Sequence, residues 1–321
     1  MLLIQDKGMF AAGGAGRGCV WEQQAHRSQI LTVPRTPLAA ALMLLLPAVT
    51  ILSVGDGFAK HLADIGFSVL QIVWARYVFQ TLLVAPLALR RHGLGLLRPP
   101  EPWAQVARSL LHMTSTFLFF MAIARIPLAD AIAIFFAYPF LVTALAPWLL
   151  GERTGWRRWS AVIVGFCGTL FIIKPSLGAL DTGALLSLAG SVAFAFYIVL
   201  TRRIATRADP LISIFVQGIV AAMVLSCFVA LDWRTPDPAT WAMLAAIGAV
   251  TAAGHYMTIR AYGHVSASLL APFGYFEIVA ATIIGLFWFD NFPDGWSWLG
   301  IGIIVMSGIY ISLRERSRRG A

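Results

Sequence analysis

Residues 128–150, LADAIAIFFAYPFLVTALAPWLL, and residues 267–289, ASLLAPFGYFEIVAATIIGLFWF, decide the fold. Each run is long and apolar enough to cross ~30 Å of hydrocarbon as a helix, which takes ~20 residues. They lie 139 residues apart, and the same shift superposes Ala122 on Ala261, Thr143 on Thr282 and Trp159 on Trp298. Phe117 and Phe136 fall onto the aromatic residues Tyr256 and Tyr275. One span and its surroundings therefore occur twice.

The pattern extends outward from these two runs. Apolar stretches alternate with short polar breaks, giving ten spans: 37–59, 67–89, 104–124, 128–150, 158–174, 183–203, 211–231, 242–261, 267–289 and 296–313. A membrane barrel would show alternating segments of about ten residues, so the spanning element is the helix. Composition agrees. Of 321 residues, 59% are hydrophobic and 12% charged, and the mean hydropathy is +0.78. A water-facing surface needs about twice that charge, so a soluble globule and a disordered chain are excluded. The expected fold is an all-α polytopic membrane protein.

The cations test the map. With the N-terminus inside, the inner segments collect 19 of the 24 Lys and Arg residues, among them Arg90, Arg91, Arg108, Arg153, Arg202 and Arg314. The outer segments hold Lys60, Arg125, Lys174 and Arg234, and Arg76 lies inside a span. This is the positive-inside bias. It predicts that both termini are cytosolic and turns the net charge of +9 into a topology signal, so no nucleic-acid partner is expected. Cys19, Cys167 and Cys227 are too scattered for a metal or redox site and read as small packing residues. No cofactor and no metal are expected.

Five spans per half is an odd number, so the second half enters the bilayer from the opposite side. Inverted repeats of this kind build alternating-access carriers, with a site near the midplane where the halves meet. A duplicated scaffold without transport is the competing reading. The divisions are 1–35, a disordered cytosolic N-terminal tail; 36–174 and 175–315, the two five-helix repeats; and 316–321, a basic cytosolic tail.

The run Ile126-Pro-Leu-Ala-Asp-Ala-Ile-Ala-Ile-Phe-Phe-Ala-Tyr-Pro139, then Leu-Leu-Gly-Glu-Arg153 and Trp159, resembles the first EamA repeat of the drug/metabolite transporter superfamily. Ser268-Leu-Leu-Ala-Pro-Phe273, Trp298 and Ser307-Gly-Ile-Tyr310 resemble the second. Asp290-Asn291 stands where that family usually has Gly-Glu or Gly-Asp, and Ile278 replaces a frequent proline. The resemblance implies two inverted five-helix EamA-like repeats in a secondary carrier of the inner (cytoplasmic) membrane. It leaves the substrate, a small organic metabolite or drug, unnamed.

Ionisable groups inside spans are costly and suggest function or pairing. Glu277 and Arg76 stand at similar mid-span depth, as partners in an ion pair or as the two poles of a polar cavity. A carboxylate there can take up and release a proton during a cycle. Tyr138, one residue before Pro139, offers an aromatic face and a hydroxyl. His255, beside Gly254 and Tyr256, suits a proton relay or a hydrogen bond between helices, and His112 invites the same two readings. Tyr256 joins the translocation candidates. Asp56 and Lys60, four residues apart near the outer end of the first span, either pair or line an outer vestibule. Pro139, Pro147 and Pro272 are the candidate hinges, and Pro47 and Pro86 also interrupt spans. Small residues in the fifth and tenth spans allow close contact within a monomer or in a homodimer.

The function expected is secondary active transport by alternating access, driven by protons or by exchange, because no Walker-type nucleotide loop is present. The partners are then a small molecule, protons and the lipid bilayer. An intramembrane lipid-modifying enzyme is the alternative, but no metal or serine-hydrolase motif supports it, and the chain is not expected to be an enzyme.

Overall fold

The computed structural model describes residues 37–97, 99–150, 156–173, 181–204, 209–262, 264, 270 and 273–319. The expected tail of residues 1–35 and Pro272 lie outside the described residues. The first half contains α1 (Pro37–Asp64), α2 (Val69–His92), α3 (Pro102–Ile123), α4 (Leu128–Phe135), α5 (Tyr138–Leu150) and α6 (Trp156–Ile173). The second contains α7 (Thr182–Ile204), α8 (Pro210–Ser226), α9 (Pro238–Tyr262), α10 (Phe276–Phe289) and α11 (Gly295–Arg319). No strand occurs among the described residues.

Six spans, one of them the α4–α5 pair, are long and apolar enough to cross a bilayer, and four shorter apolar helices complete ten. The side chains are distributed for lipid. Leu82, Met223, Phe287 and Met306 face outward, while Gln71, Gln80, Gln105, Arg108 and His112 are buried. A water-soluble protein keeps such polar groups at its surface. Here the bundle interior keeps them away from the hydrocarbon.

The halves are related by a pseudo-twofold. Exchanging each span with the one five later turns α3–α7 packing into α9–α1, and these are the two most extensive contacts in the bundle. The same exchange turns α2–α9 into α8–α3, and maps α2–α8, α6–α11 and the contact of α4 with α10 onto themselves. Phe136 and Tyr275, which the 139-residue shift makes equivalent, touch each other with ring centroids 5.0 Å apart. The pseudo-axis passes close to that pair.

Helix bounds differ from the sequence expectation in several places. The seventh span stops at Ser226 rather than 231, because Cys227 and Phe228 donate to carbonyls three residues back and the chain tightens into a 3-10 turn over Val229–Asp232. The last helix continues to Arg319 through the expected basic tail; neither Gly nor Pro interrupts residues 309–319, and cations suit a helix C-terminus. Pro47 and Pro86 lie inside unbroken helices. The fourth span does break. Phe136 and Ala137 form a turn, with Ala137 N–H on the Ile134 carbonyl and Phe140 N–H on that of Ala137. Pro139 has no N–H to return to Phe135, and its ring obstructs that carbonyl. Pro147 falls within α5. Cys167 and Cys227 are exposed, not packed inside as expected.

Candidate functional site

The ninth span breaks as well. Residues 270, 273 and 274 are helical, Tyr275 is a turn, and α10 starts at Phe276. Its break and that of the fourth span fall at equivalent positions in the two repeats. Tyr138 and Glu277, 139 residues apart, each stand in the first turn of the half-helix that follows. Glu277 was expected in mid-helix. At a helix N-terminus it instead stands at the positive end of the dipole, a favourable place for a carboxylate.

The halves enclose two adjoining chambers. We name the bundle end where α1 begins proximal and the end where it finishes distal. The larger chamber, about 370 Å³, lies toward the proximal end. It is lined by Arg108 and His112 of α3, Tyr197 and Thr201 of α7, Gln217 of α8 and Thr258 of α9. The smaller, about 150 Å³, lies toward the distal end and contains Asp56, Arg76, Ser115 and Thr116. Phe136, Tyr138, Phe194, His112, His255 and Glu277 face both and form the wall between them.

Arg76 is buried, with its guanidinium 5.3 Å from the centre of the Phe120 ring. Asp56 and Glu277 line the same chamber. Among the described residues no ion pair joins Arg76 to either carboxylate; the ion pairs there are Lys60–Asp64, Arg91–Asp209 and His92–Asp209. Arg76 and Glu277 are thus poles of a polar cavity rather than a closed pair.

Four aromatic rings line one side of the larger chamber. Tyr138 packs edge-on against Phe194 at 4.8 Å, Phe194 lies 5.3 Å from Tyr197, and Phe136 lies 5.7 Å from Tyr138. Such a surface takes a flat ring by stacking. His112, whose ring lies 4.8 Å from Tyr197 and 6.0 Å from Phe194, is held in a buried network. The Tyr77 hydroxyl lies 2.7 Å and the Gln217 amide 3.2 Å from its Nδ1, and Tyr77 also reaches Thr116 at 3.1 Å. His255 stands edge-on to His112 at 5.8 Å.

The structure departs from the sequence expectation at three further candidates. Tyr256 is 43% exposed and lines neither chamber; its hydroxyl accepts from Arg260 at 3.1 Å. One residue along a helix is a ~100° turn, which sends it outward when His255 faces inward. Lys60 does not pair with Asp56 and lines neither chamber. Its ammonium donates to the Ile123 carbonyl at 2.8 Å and the Ile126 carbonyl at 3.5 Å, and Asp64 lies 3.7 Å away. The C-terminus of α3, with free carbonyls and a negative dipole end, is where a cation is stabilised. Arg108, counted as an inner-edge cation, is buried in the cavity wall. The signal that would have found it is the helical period of α3: Gln105, Arg108, Ser109, His112, Ser115 and Thr116 form one buried polar stripe.

A second set of hydrogen bonds stands at the same distal end as Lys60. Gln71 donates to the Arg234 carbonyl at 2.8 Å and accepts from the Arg234 N–H at 3.2 Å, and the Arg234 guanidinium donates to the Ile65 carbonyl at 2.8 Å.

Ten spans in two inverted halves, with two broken spans meeting at a mostly apolar cavity that holds a few charged groups, define a membrane transport protein of the repeat-built kind. Comparison with known proteins names the group. The EamA-like transporter family matches residues 39–174 and 181–313. The chain belongs to that family, within the drug/metabolite transporter superfamily. It is similar to the S-adenosylmethionine uptake transporter of Rickettsia prowazekii, 26% identical over 264 residues, 82% of this chain and 89% of that protein. The riboflavin transporter of Vibrio cholerae is 25% identical over 295 residues, 90% of this chain and 98% of that one. The pseudopaline exporter of Pseudomonas aeruginosa is 31% identical over 252 residues, 78% and 87%. A crystal structure at 20% identity shares the fold with a TM-score of 0.61, over 87% of this chain and 98% of that one.

Proposed function

We propose that this transporter is a secondary carrier of the cytoplasmic membrane that moves a small organic metabolite by alternating access, with both termini cytosolic and proton coupling at Glu277. The observation that carries the reading is the place of Glu277: first turn of a half-helix, at the wall shared by both chambers, facing Arg76 and Asp56 without an ion pair. A carboxylate that faces both chambers is positioned to exchange its proton with either side in turn. By the positive-inside rule the proximal end is cytosolic. The distal ties of Lys60 and Arg234 then belong to the external gate, and the arrangement is inward-facing.

The relatives carry organic molecules bearing flat or charged groups, and the aromatic wall and charged poles suit such cargo. The purified protein in vesicles tests the reading. Uptake of S-adenosylmethionine or riboflavin driven by an imposed pH gradient is expected, and Glu277→Gln abolishes the gradient dependence while the protein remains inserted. Undiminished gradient-driven uptake in Glu277→Gln excludes it as the proton site. A product formed without accumulation in the vesicles would instead support an intramembrane enzyme.

A further inference from the structure

The larger chamber has a charged pole that proton coupling does not use. Arg108 is 3% exposed and lines that chamber. Its guanidinium donates to the Ser213 carbonyl at 2.6 Å and to the Tyr197 hydroxyl at 3.4 Å, and lies 5.4 Å from the centre of the Tyr197 ring. Its Nε has no partner, and among the described residues no carboxylate pairs with it. A guanidinium has five N–H donors in a planar fork matched to a carboxylate. An uncompensated buried charge is unfavourable, and a counter-ion relieves it. Thr201 and Thr258, on the same chamber wall, also have hydroxyls without partners. Across the chamber stands Glu277, and beyond it Asp56. The cavity therefore carries a lone guanidinium, Arg108, toward its proximal end and two carboxylates with one guanidinium, Arg76, toward its distal end, with aromatic rings between.

The geometry points to an anion subsite at Arg108 that receives the carboxylate of an amphoteric, ring-bearing metabolite whose cationic group faces Glu277. This rests on the carrier reading and names the class of cargo within it. A neutral ring compound would stack on the aromatic wall but leave Arg108 uncompensated.

The test uses paired probes on the purified full-length protein, read by equilibrium binding in detergent: S-adenosylmethionine against its decarboxylated form, and tryptophan against tryptamine. In each pair the acid-bearing member is expected to bind at least ~10-fold tighter, the discrimination typical of one charge-assisted interaction. Arg108→Gln erases that ratio by weakening the acid alone, and Arg108→Lys retains part of it. A merely structural Arg108 would weaken both members of a pair equally, which overturns the proposal. So does a ratio that survives in a folded Arg108→Gln protein, or failure of both acids to bind. Riboflavin, which has no carboxylate, should enter vesicles equally well with the Arg108→Gln protein; a loss of riboflavin uptake as large as the loss of S-adenosylmethionine uptake would overturn the anion subsite while the carrier reading stands.

Discussion

The two broken spans share a design and differ in one side chain. In each repeat a helix stops near the middle of the bundle, turns at an aromatic residue, Phe136 or Tyr275, and restarts. The first turn of the new helix presents Tyr138 in one repeat and Glu277 in the other. Duplication fixed the backbone geometry, and divergence set the chemistry. Each repeat gives two rings to the aromatic surface, Phe136 and Tyr138 from the first and Phe194 and Tyr197 from the second, and the second adds the carboxylate of Glu277. Among the described residues, the charges near the wall in the first repeat come from other helices, Asp56, Arg76 and Arg108.

Conservative substitutions at the two equivalent positions separate these roles most sharply. Glu277→Gln abolishes uptake driven by a pH gradient, whereas Tyr138→Phe, which removes one hydroxyl worth ~1 kcal/mol, lowers apparent affinity by less than about tenfold. Equal losses at both positions would erase the distinction.

The next largest effect concerns how each break is buttressed. Gly308 of α11 lies against the Tyr275 hydroxyl, and Gly165 of α6 against the Phe140 ring; a Cβ at either site would overlap the aromatic group. Gly308→Leu and Gly165→Leu are each expected to cost ~1–3 kcal/mol by overpacking. Gly302, with open space around a Cβ, is the contrast: Gly302→Ala stabilises by ~0.5–1 kcal/mol through helix propensity. Thermal unfolding in detergent measures all three, and a Gly308→Leu protein as stable as Gly302→Ala would contradict the packing described.

Lys60→Met removes the tie between α1 and the end of α3. The Ile123 carbonyl loses a charged donor, a contribution of ~1–3 kcal/mol to that tie. Labelling of a cysteine at Phe119 by an external, membrane-impermeant reagent should then accelerate; an unchanged rate would mean that Lys60 does not hold that end shut.

The smallest effect lies outside the membrane. Asp237 accepts from the Thr240 N–H at 2.9 Å and the Thr240 hydroxyl at 3.1 Å, and these bonds hold its carboxyl below the ordinary carboxylate range. Its stabilisation of the α9 start is therefore complete above the ordinary value of about 4 and fades as pH falls through the lowered one. Asp237→Asn, whose amide caps without titrating, should show a slightly shallower loss of thermal stability on acidification.

Much of this was legible in the sequence and some was not, for physical reasons. Ten apolar runs and the cation bias gave the spans, because bilayer thickness and charge translocation act on local composition. Pro139 marked the first break, since a missing N–H is a local fact. The partner of Lys60 was hidden because backbone carbonyls have no sequence signature and Ile123 is 63 residues away. Arg108 was misread because an arginine near a helix end looks interfacial one residue at a time. Only the stripe running on to His112 and Thr116 separates a cavity wall from a membrane edge. Tyr256 was the opposite error, a polar residue accepted beside His255 without allowing for the turn of the helix.

Alternation between two sealed states has its most direct test in paired accessibility. With Cys19, Cys167 and Cys227 replaced by serine, single cysteines at Thr258 in the larger chamber and Phe119 in the smaller are labelled by an impermeant maleimide from either side of the membrane. Cytosolic labelling of Thr258→Cys should fall, and external labelling of Phe119→Cys should rise, when the protein is driven outward-facing. Simultaneous labelling of either site from both sides, or rates at the two sites that rise and fall together, would contradict a carrier whose halves rock about one cavity.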